Sequence, residues 1–231
     1  MKKYSTIFFD LDHTLWDFER NSAEALEELY HENNLTQRLG MSAPDFIAGY
    51  REINFAYWEA YRKGEISKEI LRTERFRDAF KAHGLDDDQL VENFATGYVR
   101  ISPEKTHLFP HAHEILEYLH EKYPMYILTN GFEEIQHKKL RNCNISKFFK
   151  EVITSEKAGV KKPHADIYHY GLRLAAAHPH ETIMIGDEPD VDLIGAKNLG
   201  IDQVYFNVTE EPASFQTTFE ITSLNELKKI L

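Results

Sequence analysis

Thr6-Ile7-Phe8-Phe9-Asp10-Leu11-Asp12-His13-Thr14 sets a short apolar run directly against two carboxylates that flank a single leucine. An apolar run of this length, without polar alternation, is the pattern of a strand buried on both faces. Two further runs end in the same abrupt way: 125–128 before Thr129-Asn130-Gly131, and 182–185 before Gly186-Asp187. Residues 151–154 and 203–206 are two more strand candidates. Between them, 112–123 carries Ile115, Leu116 and Leu119 at helical spacing, and 166–177 does the same with Ile167, Tyr170, Leu172 and Leu174. Alternating strand and helix implies a doubly wound α/β core with a parallel sheet, in which ligands bind beyond the carboxyl ends of the strands. The three polar clusters are therefore expected to converge.

The stretch from about 18 to 100 breaks that alternation. It reads as almost wholly helical, with segments at 22–32, 43–62 and 67–83, and is expected to form a bundle of about four helices inserted after the first strand. Gly64 is placed to stop one helix and Ser67 to cap the next, with Ile70 opening its apolar face. The tail at 222–231 reads as a short amphipathic helix capped by Ser223.

With 231 residues, the chain has room for one core and an added subdomain. Hydrophobic residues make up 42% and no low-complexity segment interrupts the chain, which places it in the globular class. A net charge of −11 without a basic track excludes a nucleic-acid groove and favours a small, locally captured substrate. Cys143 is the single cysteine, so neither an internal disulfide nor a thiolate metal cage can form. His107, His111 and His113 gather near Pro110, but 111 and 113 fall on different sides of a helix, so no zinc cage is expected. No signal-peptide pattern precedes Asp10, and no apolar run reaches the roughly 18 residues that would span a bilayer. A cytoplasmic protein with no membrane partner is the expectation.

Asp10 and Asp12, together with Asp187 at another strand end, form a hard oxygen-donor set without thiol or fixed histidine spacing. That set suits Mg²⁺ beside a phosphate. Asp10 is the candidate nucleophile, since a carboxylate can form an aspartyl-phosphate when a cation screens the approach of two anions. Asp12 is the candidate general acid and base. Thr129, Asn130 and Gly131 present a hydroxyl, an amide and a close-approach backbone to phosphate oxygens. Lys162, ahead of the helix near Asp166, could neutralise charge developing there.

These motifs, Asp10-Leu11-Asp12-His13-Thr14, Thr129-Asn130-Gly131, Lys162-Pro163 and Gly186-Asp187 with Asp192, occur in the order of the four motifs of the haloacid dehalogenase superfamily, which the chain resembles over nearly its whole length. The resemblance implies a Rossmann-like three-layer α/β core over 1–17 and 101–231, with a helical cap over 18–100. It also implies Asp10 as nucleophile, Asp12 as acid and base, and Thr129 and Lys162 on the phosphoryl group. Mg²⁺ would be held by Asp10, the Asp12 main-chain carbonyl and Asp187, with Asp192 in support. Dehalogenases of this resemblance lack an acid two residues after the nucleophile, so Asp12 argues for phosphoester chemistry; the transport ATPases carry Thr there.

Weaker features, Thr129-Asn130-Gly131-Phe132, Tyr61-Arg62-Lys63-Gly64-Glu65-Ile66-Ser67 and Ile221-Thr222-Ser223-Leu224-Asn225-Glu226-Leu227, resemble the pyrimidine nucleotidase branch. They imply a 5′-nucleotidase acting on nucleoside monophosphates. Trp16, Phe18, Tyr57, Trp58 and Tyr61 are candidates to stack on a base, with packing as the competing use of each. A phosphatase for a small sugar or acid phosphate, such as phosphoglycolate, is the alternative on the same catalytic set. A noncatalytic binding module would be expected to lack one of the key residues, and none is missing.

Overall fold

A computed structural model describes residues 3–231. Six strands, β1 (Thr6–Phe9), β2 (Met125–Thr129), β3 (Glu151–Thr154), β4 (Thr182–Gly186), β5 (Asp202–Phe206) and β6 (Phe219–Ile221), pair in parallel in the order β3-β2-β1-β4-β5-β6. The strands are apolar on both sides because both faces are covered. Ile7, Phe9, Met125, Ile127, Ile183, Ile185, Val204 and Phe206 enter one core, shared with Ile115, Leu116 and Leu119. Their neighbours Phe8, Tyr126, Leu128, Ile153, Met184 and Tyr205 enter a second, shared with Ile167, Tyr168 and Leu172. This period-two division makes a three-layer Rossmann-like α/β core.

The chain runs outward from β1 through β2 to β3, then returns to the other side of β1 with β4. The strand order therefore reverses between β1 and β4, where loops leaving the two strands diverge and open a crevice at their carboxyl ends. Asp10 and Asp187 are the residues that leave the sheet there.

The chain divides into two compact units, one formed by the chain up to Phe18 with Thr106–Leu231, the other by Glu19–Lys105. The inserted unit is helical: α1 (Phe18–Glu32, beginning at the junction), α2 (Leu35–Leu39), α3 (Ala43–Arg62), α4 (Lys68–Lys81) and α5 (Asp88–Ile101). Its core is an aromatic cluster in which Phe94 meets Phe80 at 4.9 Å, Phe76 at 5.8 Å and Phe46 at 6.3 Å between ring centroids. Gly64 takes φ of 75° just past α3, and the Ser67 hydroxyl accepts from the Ile70 N–H at 3.3 Å to start α4.

Some local expectations need correction. Ile70 is exposed, because the buried face of α4 is set by Leu71, Phe76, Ala79 and Phe80 one step round the helix. The tail forms a tighter 3₁₀ helix, Leu224–Lys229, whose start is closed by a reciprocal Ser223–Glu226 capping box. Among the described residues, no helix is long and apolar enough to cross a membrane.

Phe94→Ala removes a ring with no exposed surface from this aromatic cluster. It is expected to lower stability by about 3–5 kcal/mol in urea unfolding followed by circular dichroism.

Candidate active site

β1 ends at Phe9, and the Asp10 N–H still donates to the Ile185 carbonyl of β4 at 2.8 Å, so the first carboxylate is fixed to the sheet's own hydrogen-bond ladder. Beyond it the chain turns sharply. His13 adopts φ of 62°, and the Leu15 and Trp16 N–H groups both return to the Leu11 carbonyl. Histidine tolerates this left-handed conformation better than most residues. The turn seats Thr14, fully buried, with its hydroxyl donating to Asp187 Oδ1 at 2.9 Å.

Lys162 holds the centre. Its ammonium donates to Asp10 Oδ1 at 2.5 Å and to Asp192 Oδ1 at 2.7 Å, and all three side chains are buried. Asn130 holds Lys162 by its main chain, accepting from the Lys162 N–H at 2.8 Å and donating to its carbonyl at 3.0 Å. One amide hydrogen and the amide oxygen that the sequence placed near a phosphate are thus engaged by residue 162. Gly186 is equally constrained: a Cβ there would lie 2.5 Å from Asp192 Oδ2, which instead accepts from the Glu188 N–H at 3.2 Å.

The electrostatics are unbalanced. Burial pushes the Asp10 carboxyl up to about 8; Lys162 opposes the rise, and Asp192 and Asp12 add to it. Asp187 is raised well above the ordinary carboxylate range by burial and by the charges of Asp192 and Asp10, against the hydrogen bond from Thr14. Burial alone would lower the Lys162 ammonium, but Asp10 and Asp192 hold it above its ordinary value. Oxygens of Asp10, Asp187 and Asp192 lie within 4.8 Å of one another, a hard-donor set that fits a small divalent cation and would lose its excess negative charge to one.

The Asp12 carboxylate stands outside that trio. Lys139 donates to its Oδ1 at 2.5 Å and Gln136 to its Oδ2 at 2.9 Å. Both come from α7 (Glu133–Asn142), the helix that follows Thr129-Asn130-Gly131, as α6 (Ala112–His120) precedes β2. Gln136 also donates to the Thr129 hydroxyl at 2.8 Å. A Cβ at position 131 would lie 2.2 Å from Gln136 Nε2, so the room that glycine leaves is filled by that side chain. Trp16 is completely buried beneath Lys139, whose ammonium lies 3.8 Å from the indole centroid, so its ring packs and does not line an opening.

Thr14, Gln136 and Lys139 are the site residues that sequence reasoning passed over. The available signal was the polar i, i+3 pair at 136 and 139 on the first helix after a phosphate-type loop.

The profile of the haloacid dehalogenase-like hydrolases matches residues 4–200. A crystal structure of the HAD-hydrolase YfnB from Bacillus subtilis, bound to magnesium, superposes with a TM-score of 0.89 at 30% identity, covering 100% of this chain and 99% of that one. The pyrimidine 5′-nucleotidase PynA of Streptococcus pneumoniae is 31% identical over 97% of this chain and 93% of its own length. The glyceraldehyde 3-phosphate phosphatase of Pyrococcus furiosus is 30% identical over 89% of this chain and 82% of its own length.

A carboxyl whose folded pKa exceeds its unfolded value keeps its proton longer in the folded state, so the metal-free protein should lose stability as pH rises from about 4 toward about 8. Magnesium should offset the loss. Its effect on melting temperature is expected to be larger near pH 8 than near pH 5.5, and to vanish in Asp187→Asn, as read by differential scanning fluorimetry.

Proposed function

The chain belongs to the haloacid dehalogenase-like hydrolases, and on that premise we propose that it is a magnesium-dependent phosphomonoesterase acting through an aspartyl-phosphate on Asp10. One observation carries the reading: Asp10, buried at the sheet's switch point, has its oxygen held by Lys162 at 2.5 Å and a second carboxylate two residues along the chain. The ammonium opposes the rise in the Asp10 pKa and aims one oxygen, leaving the other to attack.

In the first half-reaction, Asp10 Oδ2 attacks phosphorus, the ester P–O bond breaks, and protonated Asp12 gives its proton to the departing oxygen. In the second, water attacks the same phosphorus and loses a proton to Asp12. The acyl-phosphate P–O bond then breaks, restoring the Asp10 carboxylate and releasing inorganic phosphate. Thr129 and Lys162 hold the phosphoryl oxygens through these steps, with the Asn130 and Gly131 backbone beside them. Mg²⁺, held by Asp10, the Asp12 main-chain carbonyl and Asp187 with Asp192 in support, would screen the repulsion between carboxylate and phosphoryl group.

For the substrate we favour 5′-nucleoside monophosphates, pyrimidine ones first, which the likeness to PynA along almost the full chain supports. A small sugar phosphate is the second reading, supported by the likeness to the glyceraldehyde 3-phosphate phosphatase.

A substrate panel separates the two. Pyrimidine monophosphates are expected to exceed sugar phosphates in kcat/KM by about tenfold or more, and the reverse order would replace the first reading by the second. Asp10→Asn is expected to lower kcat by more than about 10⁴-fold, and Asp12→Asn by about 10²–10⁴-fold, both with unchanged circular dichroism. Turnover near the wild-type rate in Asp10→Asn would overturn the mechanism.

A further inference from the structure

We propose that Gln136 and Lys139 are positioning residues for the phosphoryl transfer, locking the Asp12 carboxylate in place and tying it to the Thr129 hydroxyl so that proton transfer and phosphoryl binding keep one geometry. The proposal rests on the phosphomonoesterase reading above.

Hydrogen accounting carries it. The Gln136 amide nitrogen has two hydrogens. One goes to Asp12 Oδ2 at 2.9 Å and one to Thr129 Oγ1 at 2.8 Å. Turning the amide over would set its oxygen against the Asp12 carboxylate, so the orientation is determined. The Thr129 hydroxyl has two lone pairs and one proton. The Gly131 N–H at 3.0 Å and Gln136 both donate into it. Its single proton must therefore be given to a third partner, which in the phosphatase is a phosphoryl oxygen. Gln136 makes Thr129 a committed donor.

Lys139 completes the clamp on Asp12 Oδ1 at 2.5 Å. The two carboxylate oxygens, each with its own donor, fix the plane of the group, and the ammonium is itself pinned 3.8 Å from the Trp16 ring centroid. Both donors project from one face of α7 at i, i+3 spacing, so a single rigid helix sets both bonds.

Stability does not explain this arrangement. Gln136 has no exposed surface, and its Oε1 is buried without a hydrogen-bond partner, a state that disfavours the fold. A leucine of similar size would remove that penalty, at the loss of the two hydrogen bonds that Nε2 donates. The side chain is thus satisfied only where it meets Asp12 and Thr129, as expected of a residue that serves the chemistry.

The test uses the full-length protein with magnesium and two substitutions, Gln136→Leu and Lys139→Met. With a nucleoside monophosphate, each is expected to lower kcat by about tenfold to a hundredfold while KM changes less than about threefold. With p-nitrophenyl phosphate, whose leaving group departs without a proton, each variant should release a burst of about one p-nitrophenol per enzyme. Slow turnover should follow, because phosphorylation of Asp10, which with this leaving group needs no proton from Asp12, is slowed less than hydrolysis of the phosphoenzyme through Asp12. The circular dichroism spectra of both variants should match that of the wild type.

Unchanged or raised kcat in both variants would overturn the proposal. So would a burst that shrinks in step with turnover, or a kcat loss accompanied by a changed circular dichroism spectrum in both variants, since each marks a structural role. A wild-type protein that hydrolyses no phosphomonoester would remove the underlying reading and this role together, and that failure shows before any substitution is made.

Discussion

The buried ammonium of Lys162 between Asp10 and Asp192 is the interaction on which the rest of the site depends. Removing three charged groups from water is expensive, and breaking such a cluster by deleting one member strands the others, typically at about 3–5 kcal/mol. Much of the nearby sequence serves to keep the three together. Asn130 fixes the Lys162 main chain from both sides, and Gly186 leaves the space that the Asp192 carboxylate occupies. The Tyr168 hydroxyl donates to the Asp192 carbonyl at 2.8 Å, and Gly195 admits the Tyr168 ring, since a Cβ there would lie 2.4 Å from it. Tyr168 and Gly195 are therefore indirect supports of the Lys162 ammonium, remote in sequence from Asp10.

The sheet supplies the other half of the placement. The strand order reverses beside β1, so the residues following β1 and β4 leave the same edge of the core in diverging loops. Carboxylates on those two loops approach from different elements, and each is fixed by a strand buried on both faces. A loop-borne pair could drift apart; here displacement of Asp10 would break its hydrogen bond to Ile185. The rigidity of the strands passes directly to the oxygens.

The strands that carry this geometry were legible in sequence because β1, β2 and β4 are continuous apolar runs ending in Asp10, Thr129 and Asp187. β6 was not read, being three residues long and paired on one side only with β5. The five-residue α2 was missed for a related reason: it starts after Asn34 in the left-handed region, a signal that reads as a turn. In α4, the Ser67 cap was readable from its residue type, but the choice between Ile70 and Leu71 as the inward residue depends on a rotation that only packing sets. Lys162, Asp12 and Asp187 were recognisable by order along the chain. Gln136 and Lys139 were not, because their partner Asp12 lies 124 and 127 residues away, and the one local signal, their i, i+3 spacing after Thr129-Asn130-Gly131, does not say that this face is directed inward.

Charge ties the whole molecule to the site. A chain of net charge −11 repels a phosphate ester at long range, but at physiological ionic strength that repulsion is screened beyond about 8 Å. Inside the site the balance differs, since Asp10, Asp12, Asp187 and Asp192 face the ammonium groups of Lys162 and Lys139. Lys139 is committed to Asp12 and Lys162 to Asp10 and Asp192, while Asp187, among the described residues, accepts from the neutral Thr14 hydroxyl. Adding a phosphate dianion to such a cluster is unfavourable unless positive charge enters with it or before it. The divalent cation proposed above would therefore have a second use besides chemistry: it would convert a site that repels an anion into one that holds it. By holding a cation, the trio of carboxylates would let that positive charge enter and leave, which the ammonium of a lysine in its place could not do.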